Sequence, residues 1–467
     1  MNRALARATA IALALAAAFA ARTASAACAN PRPSDPGGAG GWSYGADPVT
    51  SFDGQRVRVW YATSGANAPD LATTRMDMVP DNVARTAAVA DDALAKYLGW
   101  GFTLPPSDNG SAGCSGGDGR LDIYLLAFNA ADGQTATESC TGTAAKKCAS
   151  YVLVERKLEA IYGAFDLGAR TVVPHELFHA VQNAYDSGVD RYWAEGTAQW
   201  AAKRVDPTLT DLESMLPGFF MDPGRSIDMT GGGVTSQFLY GSAIWPVYLT
   251  TRFGPDFVRS ALEQQAKTGP TSMNAIATAL QAQNTTLADE YPTFAAWNAG
   301  CGKRAGTAGY PDAKKYPTSP VQTFPDTGEA SGVLTGFGMA YYAYDFGADT
   351  VQLTLDADTT RVGARAFPLD ASGKAQIDQV AALPALVTGA GVLAIAGVTA
   401  KKADAPWTVR AGAPPAGDAG ADAGTNPPPK GGGCSVTPDV TRASVPAWAS
   451  PLGVALALAL LRRRPRR

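Results

Sequence analysis

The chain has 467 residues, of which 46% are hydrophobic, and it carries 39 lysines and arginines against 42 aspartates and glutamates. The length predicts two or three domains, the hydrophobic content is enough for real cores, and 50 glycines and 32 prolines predict many turns and linkers. Without the three arginines in residues 1–26 and the five at the C-terminal end, the chain has 31 basic and 42 acidic residues. This negative balance argues against nucleic acid or an anionic membrane surface as partner. Solubility is the simpler explanation for it.

Residues 1–26 have the pattern of a secretory signal peptide. A basic start with two arginines leads into an apolar run over residues 8–20 and a small-residue cleavage site at residues 24–26. A lipid-modified Cys28 is the alternative, but Ser25 stands where a lipobox favours leucine. We therefore expect an exported protein that works outside the cytoplasm.

The six cysteines agree with export. Cys140 and Cys148 bracket a short loop and are the expected disulfide. Cys28, Cys114 and Cys301 leave one further pair and one odd thiol, and the sequence does not choose among the pairings. Because no CxxC spacing occurs, a cysteine metal cluster is not expected.

Strands come first in the mature chain. Alternating or apolar runs predict strands at residues 56–62, 121–126 and 151–154, and a helical pattern predicts a helix at residues 81–98. Asp118 and Asp122 offer oxygen ligands for calcium, but they lack the full EF-hand pattern, so a tight turn is favoured.

Helices dominate the following region. The first is expected to begin near Thr171 as N-cap, which puts Pro174 in the first turn, where amide donors lack partners anyway. Further helices are predicted at residues 192–204, 239–253, 256–266, 272–281 and 293–299. Strands followed by helices indicate an α+β fold.

The first of these helices contains the motif HExxH. His175 and His179 are the two histidines of the chain, and Glu176 lies between them. Residues four apart share one face of a helix, so both imidazoles can bind one ion beside the glutamate. A helix with two surface histidines is the alternative. The spacing predicts a zinc site.

Catalytic zinc commonly takes three protein ligands and keeps one position for water. Glu195 is the best third ligand, because it follows His179 by sixteen residues and lies on the next predicted helix. Asp186 and Asp190 are closer in sequence but lie in the connecting turn. A glutamate merely favoured by the helix dipole is the alternative for Glu195.

These residues resemble the gluzincin metallopeptidases, in which a glutamate on a second helix follows HExxH. Residues 193–198 (WAEGTA) look like the WxxEGxA segment of aminopeptidase-like and collagenase-like members. Together with residues 118–124 and 240–249, the motifs resemble a group of exported bacterial metallopeptidase-like proteins over roughly residues 55–300. The resemblance implies a zincin-like metallopeptidase domain, a small sheet plus a mostly helical lower part, over residues 27–315.

In such a site Glu176 is the expected general base. Zinc lowers the pKa of its bound water towards 7, and the carboxylate takes the proton and passes it to the leaving amine. An oxyanion stabiliser is also needed, and both histidines are already used. Tyr240 is the candidate and Tyr192 and Arg191 are rivals, although the sequence favours core packing for Tyr240 over any one catalytic role.

Metal-bound histidines need acceptors that fix their tautomers. Gluzincins often place an aspartate four residues after the ligand glutamate, where this chain has Gln199, a neutral and weaker orienting group. Gln182 and Asn183 are expected to face solvent or to cap the helix.

From about Val333 the pattern changes to short strands separated by turns, which predicts a small β-sandwich of about 80 residues. This accessory domain is expected over residues 316–412, followed by a disordered linker at residues 413–433. Residues 434–467 contain Cys434, an apolar stretch and an arginine-rich end. They resemble the myxobacterial sorting signal MYXO-CTERM, which implies display at the outer cell surface, and a plain tail anchor is the alternative.

The sequence therefore predicts a secreted, surface-displayed zinc metallopeptidase, monomeric, acting on a protein or peptide and touching the membrane through its C-terminal anchor. One alternative is a surface adhesion or binding protein with a structural or inactive metal site. The other is a metal-dependent hydrolase of non-peptide substrates, which would use the same ligands.

Overall fold

The computed structural model describes residues 31–107 except 36, 118–229 except 130, 236–399 except 270, and 403–415. The fold is mixed α+β with several sheets. The predicted signal peptide, residues 416–433 of the predicted linker, the C-terminal sorting signal, Cys28 and Cys114 lie outside the described residues.

The first sheet has five strands in the order β1-β2-β3-β5-β4. The central strands β2, β3 and β5 run parallel, and β1 and β4 pair antiparallel at the two edges. The prediction contained the three central strands but neither edge strand. The bounds are β1 Val49–Asp53, β2 Val57–Ala62, β3 Leu121–Leu126, β4 Gly133–Thr141 and β5 Lys147–Glu155.

The aspartates considered for calcium bind arginines instead. Asp122 is buried, forms an ion pair with Arg32 and accepts the Trp60 indole N–H at 2.8 Å. Asp118 pairs with Arg58 at 3.0 Å and also with Arg120. These contacts fit the turn interpretation.

A group of helices follows the first sheet. In the described chain they are α1 Asp81–Gly99, α2 Glu159–Tyr162, α3 Phe165–Tyr185, α4 Arg191–Val205, α5 Asp211–Phe220, α6 Gln237–Gly241, α7 Ile244–Phe253, α8 Phe257–Thr268, α9 Ser272–Gln281 and α10 Leu287–Ala299. Helix α3 packs against β4 and β5 on one side and against α1 and α4 on others, so it runs through the core.

Helix α3 begins earlier than predicted, at Phe165 rather than near Thr171. The Thr171 hydroxyl donates to the Leu167 carbonyl at 2.9 Å, as a residue inside a helix does, so Thr171 is not the cap. Pro174 therefore lies in the helix interior, where it has no N–H for the preceding turn. Its own carbonyl accepts the Tyr97 hydroxyl at 2.7 Å, and the buried contacts of α3 offset the missing bond.

The strands predicted after Val333 form two further sheets that share one hydrophobic core. One sheet has the order β11-β10-β13-β8-β6 and the other β12-β9-β14-β7. The bounds are β6 Gln322–Thr323, β7 Glu329–Thr335, β8 Met339–Asp345, β9 Val351–Ala357, β10 Val362–Pro368, β11 Ala381–Ala382, β12 Ala385–Val387, β13 Ala390–Gly397 and β14 Asp404–Gly412.

The five-stranded sheet also packs on helix α10. A Cβ on Gly363 of β10 would lie 2.4 Å from the Pro292 ring, so backbone and helix approach closely there. The Tyr291 hydroxyl donates to the Phe337 carbonyl at 2.9 Å. The described residues up to Pro415 form one compact unit, and the boundary between residues 315 and 316 stays a prediction.

Among the described helices, none is both long enough and apolar enough to cross a membrane. The predicted disulfide is confirmed: Cys140 in β4 pairs with Cys148 in β5 across the hairpin. Cys301 is buried with a free thiol.

Candidate metal centre

Two neighbouring helices bring three donor atoms together. On α3, the Nε2 atoms of His175 and His179 lie 3.1 Å apart, because the residues are one helical turn from each other. Glu195 of α4 points its Oε2 between them, at 3.2 Å from His175 Nε2 and 3.4 Å from His179 Nε2. These three residues form the one group of potential metal ligands found in the described part of the chain.

The spacing of the donor atoms fits a tetrahedral ion. Zinc holds nitrogen and oxygen ligands at about 2.0–2.1 Å, which separates the ligand atoms of a tetrahedron by about 3.3–3.4 Å. The observed separations of 3.1 to 3.4 Å match this edge length. The donor set, two imidazoles and one carboxylate, also has the composition of a catalytic zinc site.

Asp186 and Asp190, which are closer to His179 in sequence than Glu195 is, stabilise the turn between α3 and α4. Asp186 accepts the backbone N–H groups of Lys146 and Gly188 at 3.0 and 3.1 Å. Asp190 accepts the Ser272 backbone N–H at 2.8 Å. Both carboxylates therefore bind backbone amides rather than the histidines.

The charges within the site are strongly coupled. Burial lowers the pKa of His179, but the Glu195 carboxylate beside it outweighs burial and raises this pKa to about 9. Burial raises the pKa of Glu195, yet the two imidazoles hold it well below its usual range. The carboxylate is thus kept ionised and ready to bind a cation.

Glu176 is buried on the same helix, facing β4. The Thr135 hydroxyl of β4 lies 2.8 Å from Glu176 Oε2 and 2.7 Å from the Glu176 backbone oxygen. A Cβ on Gly133 would come within 2.7 Å of Glu176 Cγ, so the missing side chain leaves room for the glutamate. Burial raises the pKa of Glu176, and the two histidines and Thr135 oppose that rise.

No protein-family model and no curated protein matches the chain. The gluzincin resemblance therefore depends on the motif residues of the chain and on the site that they form.

Both imidazoles have a glutamine oxygen next to the nitrogen that faces away from the site. His175 Nδ1 lies 3.2 Å from Gln199 Oε1, and His179 Nδ1 lies 2.9 Å from Gln182 Oε1. Because an amide oxygen accepts only, each Nδ1 keeps its proton, and Nε2 is the nitrogen that can give its lone pair to a metal. The two glutamines thus select the tautomer that a metal centre needs.

The expectation that Gln182 faces solvent is wrong. Gln182 is 2% exposed, and its Nε2 donates to the Ala194 carbonyl at 2.8 Å and to the Thr197 hydroxyl at 2.7 Å. Its position, three residues after His179, places it on the same helical face, and this spacing could have revealed it. Asn183 is partly exposed and donates to Ser150 Oγ at 3.0 Å.

Tyr240 lies beside the donor atoms rather than in the core. Its ring centroid is 5.8 Å from that of His175, and it lines the same cleft. Burial and the nearby Glu195 and Glu176 carboxylates raise the pKa of Tyr240, so its hydroxyl stays protonated as a donor. Tyr192 is buried and is not among the residues that line the cleft. Arg191, at the start of α4, opposes the rise in the pKa of Tyr240 through its positive charge.

The site opens into a cleft of about 1420 Å³. Sequence reasoning missed several residues that line it, among them Gly133 and Thr135, because β4 was not predicted, and Asp211, because nothing links it to the motif along the chain. Asp132 and Tyr162, which are hydrogen-bonded to each other, line the cleft as well.

Proposed function

We propose that the protein is a zinc-dependent metallopeptidase of the gluzincin type, with a zincin-like domain over residues 27–315. The proposal depends on one observation: His175, His179 and Glu195 converge with tetrahedral spacing on a cleft wall that also carries Glu176. A catalytic site needs a metal position that substrate can reach, and the large cleft supplies that access.

A peptide substrate is favoured by the strand beside the site. β4 is the edge strand of the first sheet, and its residues 133–138 line the cleft. Edge strands present unpaired backbone groups that can bind an extended peptide by strand addition. Such binding would lay a peptide bond alongside Glu176.

Zinc held by the three donors would supply Lewis-acid chemistry, polarising the scissile carbonyl and lowering the pKa of a coordinated water. Glu176 accepts the proton of the attacking water and delivers it to the leaving amine. Thr135 donates a hydrogen bond that orients this carboxylate. The protonated Tyr240 hydroxyl stabilises the negative charge that develops on the carbonyl oxygen.

Export is supported by the Cys140–Cys148 disulfide, because such bonds persist in oxidising compartments. The proposal therefore includes a secreted protein whose residues 434–467 act as a sorting signal or anchor for display at the outer cell surface. The partner is a protein or peptide substrate, and the working form is a monomer.

The decisive experiment replaces Glu176 by glutamine. Glu176→Gln keeps the size of the side chain and all three metal donors, so the variant should bind one zinc per chain yet lose casein hydrolysis. Glu263→Gln on α8, a partly exposed glutamate paired with Arg259, is the matched control and should keep full activity. Unchanged hydrolysis by Glu176→Gln would contradict the mechanism.

The binding-protein alternative predicts a closed metal site with a fourth protein ligand. In the described residues the group has three members, which favours the catalytic interpretation. A hydrolase of non-peptide substrates would share the site, and a digest of a peptide library against a panel of esters separates the two. Cleavage of esters without any peptide would replace the peptidase proposal.

A further inference from the structure

Gln199 bridges the metal centre to a carboxylate on the following helix. Its Oε1 lies 3.2 Å from His175 Nδ1, and its Nε2 donates to Oδ2 of Asp211, the first residue of α5. Gln199 is 4% exposed, so water has little access to this chain of hydrogen bonds. The nearby cations pair with other carboxylates, Arg170 with Asp206 and Lys203 with Glu213, and the Gln199 amide is the donor that contacts the Asp211 carboxylate.

The orientation of this amide decides whether His175 can bind a metal through Nε2. With the oxygen towards the ring, Nδ1 must carry the proton and Nε2 keeps its lone pair. With the amide turned over, the NH₂ group would face Nδ1, the proton would move to Nε2, and the ligand atom would be blocked. The two orientations have nearly the same shape, so packing alone does not choose between them.

The orientation of each glutamine amide is decided by a neighbouring group that only accepts hydrogen bonds. For His179, that group is the Ala194 backbone carbonyl, which accepts the Gln182 amide N–H at 2.8 Å. For His175, the corresponding acceptor is the Asp211 carboxylate. A turned Gln199 would place its oxygen against that carboxylate, and two acceptors repel each other.

We propose that Asp211 is a positioning residue of the metal centre, which fixes the tautomer of His175 through the side-chain amide of Gln199. The proposal rests on the zinc site of the proposed function and adds a residue outside the motif. It also explains how the neutral Gln199 can orient His175 in place of an aspartate. The carboxylate of Asp211 lies behind Gln199, one hydrogen bond further from the imidazole.

The test measures zinc affinity of the full chain by competition with a chromophoric chelator. Asp211→Asn keeps the shape of the side chain but can both donate and accept, so it no longer selects one orientation of Gln199. We expect zinc to bind about tenfold more weakly, within the range seen when groups behind metal ligands are removed. Asp211→Ala should weaken binding at least as much.

The second variant exchanges the amide and the carboxylate, so that the hydrogen bonds between residues 199 and 211 again have one favoured direction. In Asp211→Asn combined with Gln199→Glu, the new carboxylate accepts from both His175 Nδ1 and the new amide. We expect its zinc affinity to return to within about threefold of wild type. A purely structural role for Asp211 does not predict this recovery.

Glu213→Gln is the matched control, because it removes a negative charge from the same first turn of α5 while contacting Lys203 rather than the metal centre. It should bind zinc as wild type does, and thermal unfolding of the metal-free proteins verifies folding. Wild-type affinity in Asp211→Asn, or no recovery in the double variant, would overturn the proposal. A wild-type chain that binds zinc but cleaves no peptide would refute the peptidase function and leave this comparison valid.

Discussion

Glu176 and Thr135 form the contact that links the general base to the substrate-binding strand. Burial already raises the pKa of Glu176, and the Thr135 hydroxyl lowers it by bonding the charged form. Thr135→Val removes that bond with little change of shape, so the pKa of Glu176 rises further. Because the ionised base is the active form, the acid limb of the kcat/KM profile should move to higher pH, measured with a peptide substrate.

Thr137→Val is the control for this experiment. Thr137 lies two residues along β4 and lines the cleft without a hydrogen bond to Glu176. Its acid limb should coincide with that of wild type. An acid limb unmoved in Thr135→Val would show that the hydroxyl does not act on the base.

The Tyr240 hydroxyl is predicted to act in the transition state. Tyr240→Phe keeps the ring packed against His175 but removes the donor, and the loss of one oxyanion donor costs about 100- to 1,000-fold in kcat. KM should change little, because the interaction strengthens as charge develops. Tyr192→Phe, a buried tyrosine that does not line the cleft, should keep wild-type kcat. Equal kcat values for the two variants would assign Tyr240 to packing.

At the scale of residues, the ligand set and the orienting position of Gln199 were predictable from spacing, but the contacts of Gln182 and Asp211 were not. His175 and His179 are one helical turn apart, a fixed property of helices, and Glu195 is on the next helix. Asp211 contacts Gln199 of the site from the start of α5, a helix that the sequence analysis did not predict. Contacts of this kind depend on tertiary packing, which no local pattern encodes.

Among the elements, β4 is the most consequential omission. Its residues are mostly exposed or half-buried and polar, because one edge faces the cleft, so the strand lacks an apolar run. The flanking cysteines were interpreted as closing a loop, whereas they join two paired strands. The start of α3 was misplaced because Pro174 was expected near a helix end, and burial overrides that preference here.

The contact between β4 and α3 gives a prediction of its own. In Gly133→Ala the added methyl would lie 2.7 Å from both Glu176 Cγ and Val172 Cγ1. The Glu176 and Val172 side chains, or the helix that carries them, must shift away from β4, which should destabilise the fold by about 1–3 kcal/mol and displace the base. Urea unfolding and peptide hydrolysis measure the two effects, and we expect hydrolysis to fall.

Gly99→Ala at the end of α1 is the comparison, since no atom lies within 4 Å of its added Cβ. It should leave stability and hydrolysis close to wild type. A Gly133→Ala variant as active as Gly99→Ala would mean that the cleft wall tolerates a wider spacing.

For the whole molecule, the order of strands, then helices, then strands was predictable, and the way the parts join was not. The pattern of short strands after Val333 predicted the later sheets, because strands such as β10 and β14 alternate buried residues with more exposed ones. The prediction of an accessory domain did not include its packing against the helices. Phe337, Met339 and Val392 belong to the same hydrophobic core as Phe294 of α10. The sheet therefore completes the core of the helical part.

This shared core predicts that the helices and the two later sheets unfold together. Leu353 is fully buried in the core between the two later sheets, which is a separate cluster from the core that contains α3 and α4, so Leu353→Ala should lower the free energy of unfolding by about 2–5 kcal/mol. If unfolding is a single cooperative transition, the urea midpoint of the helical far-UV signal must fall with it. Leu386→Ala, an exposed leucine of β12 in the same sheet, should leave that midpoint unchanged. A helical signal that keeps its wild-type midpoint in Leu353→Ala would instead establish two independent domains with a boundary near residue 315.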